Sequence, residues 1–490
     1  MHALLLFCLG CGGGPSFPPP QNAAGPIESE EGWLARVLKT PDGDIDLLES
    51  VAILSCSPAQ RSMAAEDVRG FLAPSMEEAR ERMASAKDSD HRILALNRTV
   101  LPRIEQGLSG SLRFVREGLG SQDGDCLPMS LLYAQAASEL GLPLEIVSVP
   151  SHVFVRCIST GGIRNIEPTA GGAAATNAEI RDAIQHRIRG KESFPESSEL
   201  LEKCFGSVSR RQCVALLYCQ RAAKYLEQGN KASARADYAT ALRISPEWYI
   251  PHYRSGMCEA EALGNFKAAQ DELTLAIERA PYLPQLFYNR GVAQEQLQNL
   301  DAALRDYESA RRLAPRNPLF THAIGTLQVD LGKYPEAIAS FTRALELDPD
   351  REDSRHNRAQ VWEHHLRDLP RAIEDYSILL EKKPKVASYW GNRGACYANL
   401  RKFAAALGDL DRAVELDPRN GSIRRNRGAA LANSGRLRDA LPELDEALSI
   451  DSKDRNAYAM RARVRQLLGD AEGQRQDLEK AASLPNPKGK

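Results

Sequence analysis

Small, large and helix-ending residues recur in a fixed pattern, with a period of 33 to 35 residues, along the second half of the chain. Glycine or alanine stands ten residues after each of the first seven helix-ending residues, alanine twelve before them and a large apolar or aromatic residue eight before them. The helix-ending residues are Pro246, Pro281, Pro315, Pro349, Pro384, Pro418, Ser452 and Pro485. Because helices approach closely only at small side chains, and proline cannot continue a helix, the period predicts a stack of helical hairpins.

This pattern resembles the tetratricopeptide repeat, and eight copies fit between about residues 215 and 485. The resemblance implies an all-α superhelical solenoid that holds a protein or peptide partner in its concave groove. In this family the position two residues before the small one lines the groove, and here it is occupied by Asn289, Asn357, Asn392 and Asn426. These amides are candidates to bind an extended peptide, but asparagine is also simply common at that position.

A charge pattern accompanies the repeats. Arginine precedes the small residue in six of them, and an acidic residue follows 16 or 17 positions later. The repeat with Ile324 in the arginine position has Ser340 in the acidic one, so the arginine and the acid are absent from the same repeat. We therefore expect an ion pair between the two helices of each such repeat, the alternative being solvated charges on helix faces. The predicted pairs are Arg221 with Asp237, Arg290 with Asp306, Arg358 with Asp375, Arg393 with Asp409, Arg427 with Glu443 and Arg461 with Asp477.

The chain before the repeats begins with helical patterns, from residue 31 to about 115. Ser75 and Glu78 offer a capping box that predicts a helix start at Ser75. Further on, a Gly- and Asp-rich loop ends at Cys126, and an apolar helix follows until Gly141. Cys126 is thus expected at a helix N-terminus, where free amides and the helix dipole stabilise a thiolate, although Asp125 opposes that effect.

Strands follow this helix, and their register decides whether His152 meets an acid. The patterns predict strands over residues 144–150, 151–157 and 163–169. If the loop spans Ile158 to Gly161, His152 lies directly opposite Glu167. A tight turn on Gly161 and Gly162 would instead place His152 opposite residue 171 and separate the two.

A cysteine at a helix start, a histidine on a strand and an acid on the next strand form the layout of a Cys–His–acid nucleophilic site. The stretches Asp-Cys-Leu-Pro-Met-Ser-Leu-Leu-Tyr, His-Val-Phe-Val-Arg and Asn-Ile-Glu-Pro-Thr resemble the transglutaminase-like superfamily, and most closely its bacterial branch fused to tetratricopeptide repeats. The resemblance implies an α+β papain-like domain and cysteine-based amide chemistry, with Cys126 as nucleophile, His152 as base and Glu167 as orienting acid. Most such triads use aspartate where this chain has Glu167, and many relatives in this branch lack the cysteine.

The N-terminus contributes a candidate modification site. Its short apolar run, ending in Gly10 and Cys11 before a Gly/Pro linker, resembles a bacterial lipoprotein signal with Cys11 as the lipid-bearing residue. No basic residue precedes the run, and a disordered cytoplasmic tail or a misassigned start codon is the alternative. We expect the bacterial cell envelope, lipid-anchored or periplasmic, as the location, with the cytoplasm as the alternative.

Composition limits the classes of partner that we expect. A net charge of −2 with both signs mixed gives no argument for nucleic acid, and contact with a membrane is expected only through the N-terminal lipid. The ten cysteines are dispersed, so we expect neither a metal site nor a cofactor, and most of them should be small buried residues.

These features divide the chain into a signal-like segment over 1–30, a transglutaminase-like domain over 31–175, a helical connector over 176–212 and repeats over 213–490. Two functions fit this order. One is a cysteine-dependent amide hydrolase or acyl transferase acting on a protein that the repeats hold. The other is a non-catalytic scaffold that retains the fold of the first domain.

Overall fold

The computed structural model describes residues 29–55, 61–109, 126–142, 144–149, 152–159, 162–168, 173–177, 179–180 and 194–484. The chain divides into two compact units at the junction of Asn317 and Pro318, and each unit is described by itself. The first unit is α+β, with its sheet near the N-terminus, and the second is helical throughout its described residues.

The N-terminal part of the first unit consists of helices that share one buried core. They are α1 (Glu30–Lys39), a 3₁₀ turn (Asp42–Asp44), α2 (Leu47–Ser55), α3 (Arg61–Ala84), α4 (Ser89–Ser109) and α5 (Cys126–Glu139). Every residue from Leu127 to Ala137 in α5 is buried, as expected for a helix that is apolar on all sides. Cys126 is the first residue of this helix, as the sequence predicts.

The predicted helix start at Ser75 is wrong. Helix α3 runs through this position with Pro74 inside it, and the Ser75 hydroxyl donates to the carbonyl of Leu72 instead of capping a new helix. The helix continues because one face stays apolar and buried across the proline. Its buried residues in this stretch are Val68, Leu72, Met76, Ala79 and Met83.

A five-stranded antiparallel sheet follows, in the order β4-β3-β2-β1-β5. The strands are β1 (Leu144–Val149), β2 (His152–Ser159), β3 (Gly162–Glu167), β4 (Ala173–Ala175) and β5 (Ser207–Val208), with the short helix α6 (Ser198–Cys204) before β5. One face of the sheet, with Val153 and Val155, joins the core around α5. The other face carries Val147, Val149 and Phe154 into a second core.

Neither register considered for the β2–β3 hairpin is the observed one. Arg156 lies opposite Asn165, and Ser159 lies opposite Gly162. Continued toward the start of β2, this register places Glu167 beside Phe154 rather than beside His152. His152 and Glu167 are therefore diagonal neighbours on one face, a separation that long side chains can bridge.

The helical hairpins predicted from the period are present in both units. The first unit ends with α7 (Arg210–Glu227), α8 (Lys231–Ile244), α9 (Tyr249–Met257), α10 (Phe266–Arg279), α11 (Pro284–Gln296) and α12 (Leu300–Leu313). The second unit contains α13 (Pro318–Asp330), α14 (Tyr334–Leu347), α15 (Glu352–Gln360), α16 (Leu369–Lys382), α17 (Ala387–Asn399), α18 (Phe403–Leu416), α19 (Gly421–Asn433), α20 (Leu437–Ile450), α21 (Arg455–Leu468) and α22 (Ala471–Ser483). Each successive pair of these helices forms one repeat.

In the hairpins with Gly291 and Gly325, the glycine of the first helix lies against the large residue of the second. A Cβ atom placed on Gly291 would lie 2.6 Å from Tyr307, and one on Gly325 would lie 2.8 Å from Phe341. At these two positions the missing Cβ leaves the space that the aromatic ring of the second helix fills.

The unequal length of the repeats has a structural cause. The period is 35 residues from Pro246 to Pro281 and again from Pro349 to Pro384. In these two repeats a π-helical turn extends the first helix, over Cys258–Ala262 and over Val361–His365. A π turn absorbs one extra residue, so the rest of the hairpin keeps its usual spacing.

All six predicted ion pairs are confirmed, with nitrogen–oxygen distances of 2.6–2.9 Å. In the repeat with Ser255 in the arginine position, Glu272 pairs instead with Nδ1 of His252 at 2.7 Å. The Ser340 hydroxyl, in the repeat without an arginine, donates to Gln328.

The same arginines also connect neighbouring repeats, which the sequence analysis missed. Five of them donate to a residue 16 positions earlier, in the second helix of the preceding repeat. The acceptors are Thr274, Thr342, Ser377, Asp411 and Asp445. The sixth, Arg221 in the first repeat, donates instead to Glu30 of α1 at 2.6 Å, so α1 occupies the place of a preceding repeat.

Candidate functional site

The candidate site lies where the start of α5 meets the start of β2. His152 is the first residue of β2, and its ring Nε2 lies 2.8 and 3.0 Å from the two carboxylate oxygens of Glu167. Both side chains are largely buried, with 6% of the histidine and 14% of the glutamate side chain exposed. The carboxylate therefore fixes the orientation of the ring in a poorly solvated place.

The Cys126 thiol is the second neighbour of the ring. The other ring nitrogen, Nδ1, is buried and makes no hydrogen bond of standard geometry among the described residues. The thiol still interacts closely enough with the ring to affect its charge. Burial disfavours the charged ring, but interactions with Cys126 and then with Glu167 outweigh burial and raise the pKa of His152 to about 9. The ring is therefore an imidazolium at neutral pH.

A buried serine connects the cysteine helix to the histidine strand. Ser130 lies one turn after Cys126 in α5 and is fully buried, and its hydroxyl donates to the carbonyl of Val153 at 3.1 Å. Val153 is the neighbour of His152 in β2. This bond holds the helix N-terminus against the end of the strand that carries the imidazole.

Sequence reasoning missed the residues around this pair. His152, Phe154 and Arg156 alternate along β2 and so share one face of the sheet. The Phe154 ring stacks on the His152 ring with a centroid distance of 6.0 Å. Arg156 is buried and donates to Asn165 at 3.0 Å and to the carbonyl of Phe205 at 2.8 Å. In the sequence, the alternation of a histidine, an aromatic residue and an arginine could have indicated that these three side chains share one face.

The other described cysteines differ from Cys126, which is partly exposed. Cys157, Cys204, Cys213, Cys219, Cys258 and Cys396 are buried, as predicted for most of the set. Burial raises the pKa of Cys204 and of Cys219 to about 12, so these thiols are protonated at neutral pH. Reactivity toward alkylating agents should therefore differ between Cys126 and these thiols.

The candidate groove asparagines do not share one environment. Asn289 is buried; its amide donates to the Tyr253 hydroxyl at 3.3 Å and accepts from Gln285 at 3.1 Å. Asn357, Asn392 and Asn426 are partly exposed. Peptide binding through any of the four remains a prediction.

Lipidation, membrane spanning and metal binding concern other parts of the chain. Cys11 lies outside the described residues, so its lipidation and the envelope location remain predictions. Among the residues that the structure describes, no helix is long and apolar enough to cross a membrane. Within the same residues, no three histidine, cysteine or acidic side chains are grouped so that they could hold a metal ion.

Comparison with known families agrees with this architecture. The sequence profile of the transglutaminase-like superfamily matches residues 66–216. Profiles of the tetratricopeptide repeat match residues 257–318, 322–387 and 387–420. The chain therefore combines a transglutaminase-like domain with an array of tetratricopeptide repeats.

Individual relatives share only parts of the chain. Human tetratricopeptide repeat protein 6 is 26% identical over 193 residues, which are 39% of this chain and 36% of that protein. The bovine BBSome complex member BBS4 is 25% identical over 229 residues, 46% of this chain and 41% of that protein. The chain thus spans less than half the length of each of these relatives.

Two solved structures that are similar to the chain are described as tetratricopeptide repeat proteins. A tetratricopeptide repeat protein from Parabacteroides merdae is 18% identical, covers 49% of this chain and 94% of its own, and has a TM-score of 0.42. YrrB, described as a tetratricopeptide repeat protein with an unusual peptide-binding site, is 23% identical, covers 38% of this chain and 95% of its own, and has a TM-score of 0.34.

Proposed function

We propose that the protein is a cysteine-dependent amide hydrolase or acyl transferase whose substrate is a protein or peptide recruited by the repeats. The observation that carries this proposal is the His152 ring, buried between the Glu167 carboxylate and the Cys126 thiol. A pair of this kind at a helix N-terminus suits nucleophilic catalysis by sulfur.

The chemistry assigns one role to each side chain. The imidazolium of His152 stabilises a Cys126 thiolate, and the sulfur attacks the carbonyl carbon of an amide. The carbon–nitrogen bond then breaks as His152 gives its proton to the leaving nitrogen, which leaves a thioester on Cys126. Water or an amine attacks the thioester, the neutral ring takes the proton of that nucleophile, and the sulfur leaves.

Two other groups support these steps. Glu167 accepts a hydrogen bond from Nε2–H and so presents Nδ1 to the sulfur. The backbone N–H of Cys126 belongs to the first turn of α5, where amides lack intrahelical acceptors, and it can stabilise the oxyanion of the tetrahedral intermediate.

The test is turnover by the full chain. The protein is incubated with casein and with peptides containing glutamine or asparagine, with and without a fluorescent primary amine. Released ammonia, new amino termini and bound fluorescence are measured. The proposal expects at least one product, with loss of roughly a hundredfold or more in Cys126→Ser. No product from any substrate, together with unchanged rates in that variant, would contradict it.

The second candidate is a scaffold that binds a partner through the repeats without catalysis. The repeats favour this candidate, because tetratricopeptide repeats generally bind proteins or peptides. Replacing Asn357, Asn392 and Asn426 together by alanine should weaken partner capture, whereas Asn433→Ala, at an exposed position of α19, should not. Partner binding without any turnover would favour the scaffold.

A further inference from the structure

The face of the sheet that carries His152 is covered by the repeats. Phe154 and Val149 belong to a buried core that also contains Ala276 and Ile277 of α10 and Leu286 of α11. These helices are the second helix of the second repeat and the first helix of the third. The repeats in the first unit therefore form one wall of the domain that carries the candidate site.

A series of aromatic contacts connects this wall to the imidazole. The His152 ring stacks on Phe154 at 6.0 Å, and Phe154 contacts Phe205 with a centroid distance of 6.2 Å. Phe205 stacks in turn on Phe194 at 6.0 Å. Phe154 is fully buried, and Phe205 and Phe194 are 1% and 2% exposed. Close packing leaves such rings few alternative positions, so a shift at one is felt by the next.

Phe205, whose ring lies between those of Phe154 and Phe194, is also held through its backbone. Arg156, two residues after Phe154 in β2, donates to the Phe205 carbonyl at 2.8 Å. The segment after α6 is thus attached to the strand that carries His152. The Phe205 side chain belongs to the same buried core as Ala276, Ile277 and Leu286 of the repeat helices. Arg156 is 9% exposed, so this charge-assisted bond lies in a largely dry place.

We propose that Phe154 is a positioning residue for His152, and that the second and third repeats complete the candidate site by holding Phe154 through Phe205. The inference rests on the proposed function, because it assigns the repeats a role in orienting the proposed base in addition to recruiting a partner. The Cys126 sulfur and the Glu167 carboxylate are the titratable groups that interact with the ring. The strength of both interactions depends on where the ring is held.

The test compares matched substitutions in the full chain. Ile277→Ala removes buried volume from the wall, and Leu345→Ala is its control. Both residues stand four positions before a helix-ending proline, with exposures of 8% and 7%, but Leu345 belongs to the second unit. Phe154→Leu has Phe341→Leu as its control, since both phenylalanines are fully buried. The readouts are the rate of Cys126 alkylation by iodoacetamide against pH, followed by mass spectrometry, and the NMR titration of the His152 ring.

The proposal expects Phe154→Leu and Ile277→Ala to lower the alkylation rate at pH 7 roughly fivefold and to shift the His152 titration, with both controls at the wild-type rate. A wild-type rate and titration in both site variants would overturn it. If Ile277→Ala does not fold, Ile277→Val is measured instead, with the same direction expected. Failure of the proposed function would give a different result. Cys126 would then be alkylated at the same rate in the wild-type protein and in His152→Gln, while the NMR titration would still show whether Phe154 and Ile277 affect the His152 ring.

Discussion

Glu167 reaches the His152 ring diagonally across the β2–β3 hairpin, from the position beside Phe154 rather than from the position facing the histidine. An aspartate would be one methylene shorter. The glutamate, which departs from the usual aspartate of related triads, therefore fits the register that this hairpin adopts.

The first prediction concerns the charge of His152. Its pKa is raised to about 9 in the folded protein, against about 6.5 in an unfolded chain. The histidine therefore stabilises the fold fully below pH 6.5, by about 3 kcal/mol, and this contribution disappears as the pH rises through 9. NMR titration of the ring should show a midpoint well above 6.5 in the wild-type protein and a lower one in Glu167→Gln. Equal midpoints near 6.5 would contradict the ion pair.

The second prediction concerns the repeat ion pairs. Arg393 and Asp409 form two hydrogen bonds at 2.7 and 2.9 Å, with side-chain exposures of 17% and 10%. Asp409→Ala removes the carboxylate and leaves the guanidinium only the Ser377 hydroxyl as acceptor in a poorly solvated place, so it should cost about 2 kcal/mol.

The control for that prediction is a surface pair in the same unit. Arg343 and Glu346 are 55% and 57% exposed, so Glu346→Ala should cost less than about 0.5 kcal/mol. Urea unfolding of the two variants provides the comparison. Equal losses would show that the repeat pairs contribute no more than surface charges do.

The third prediction concerns two glycines in the second unit. Gly332 has φ = 72°, and Gly408 lies within helix α18 with no atom near its missing Cβ. Gly332→Ala should lower the free energy of unfolding by about 1 kcal/mol, because alanine is strained at this φ. Gly408→Ala should raise it by about 0.5–1 kcal/mol, because alanine favours a helix. Thermal unfolding of the two variants tests the opposite signs.

The fourth prediction concerns the π turn at Val361–His365. Deleting His364, whose side chain is exposed, restores a 34-residue repeat and should convert the π turn into an α turn with little loss of stability. Deleting Asn399, at the same position in the next repeat, removes a residue from a regular hairpin and should destabilise it strongly. Comparable losses from both deletions would mean that the extra residue is structurally required.

The repeats could be predicted in detail because their contacts are local and recur. Each arginine meets its acid 16 or 17 residues away within one hairpin, so the pairing can be read from the sequence spacing. The hydrogen bonds from these arginines to the preceding repeat are equally regular in spacing. Their acceptors change between threonine, serine and aspartate, so the pattern is not visible in the sequence.

The candidate site could be predicted only in part. The order of Cys126, His152 and Glu167 is visible in the sequence, but the register depends on how the Thr160–Gly162 stretch turns, and its residues allow several turns. The wall formed by the repeats could not be foreseen, because Ile277 and Leu286 follow the same pattern as residues that pack only within the array.

The central claim is that His152 activates Cys126, and alkylation at neutral pH tests it most directly. The Cys126 peptide is followed by mass spectrometry after iodoacetamide treatment of the wild-type protein, His152→Gln and His252→Gln. His252 is the control because it is also buried and paired with a glutamate. We expect Cys126 to react faster than the buried thiols, a loss of roughly tenfold or more in His152→Gln, and no change in His252→Gln. A rate that is equal in all three proteins would contradict the account.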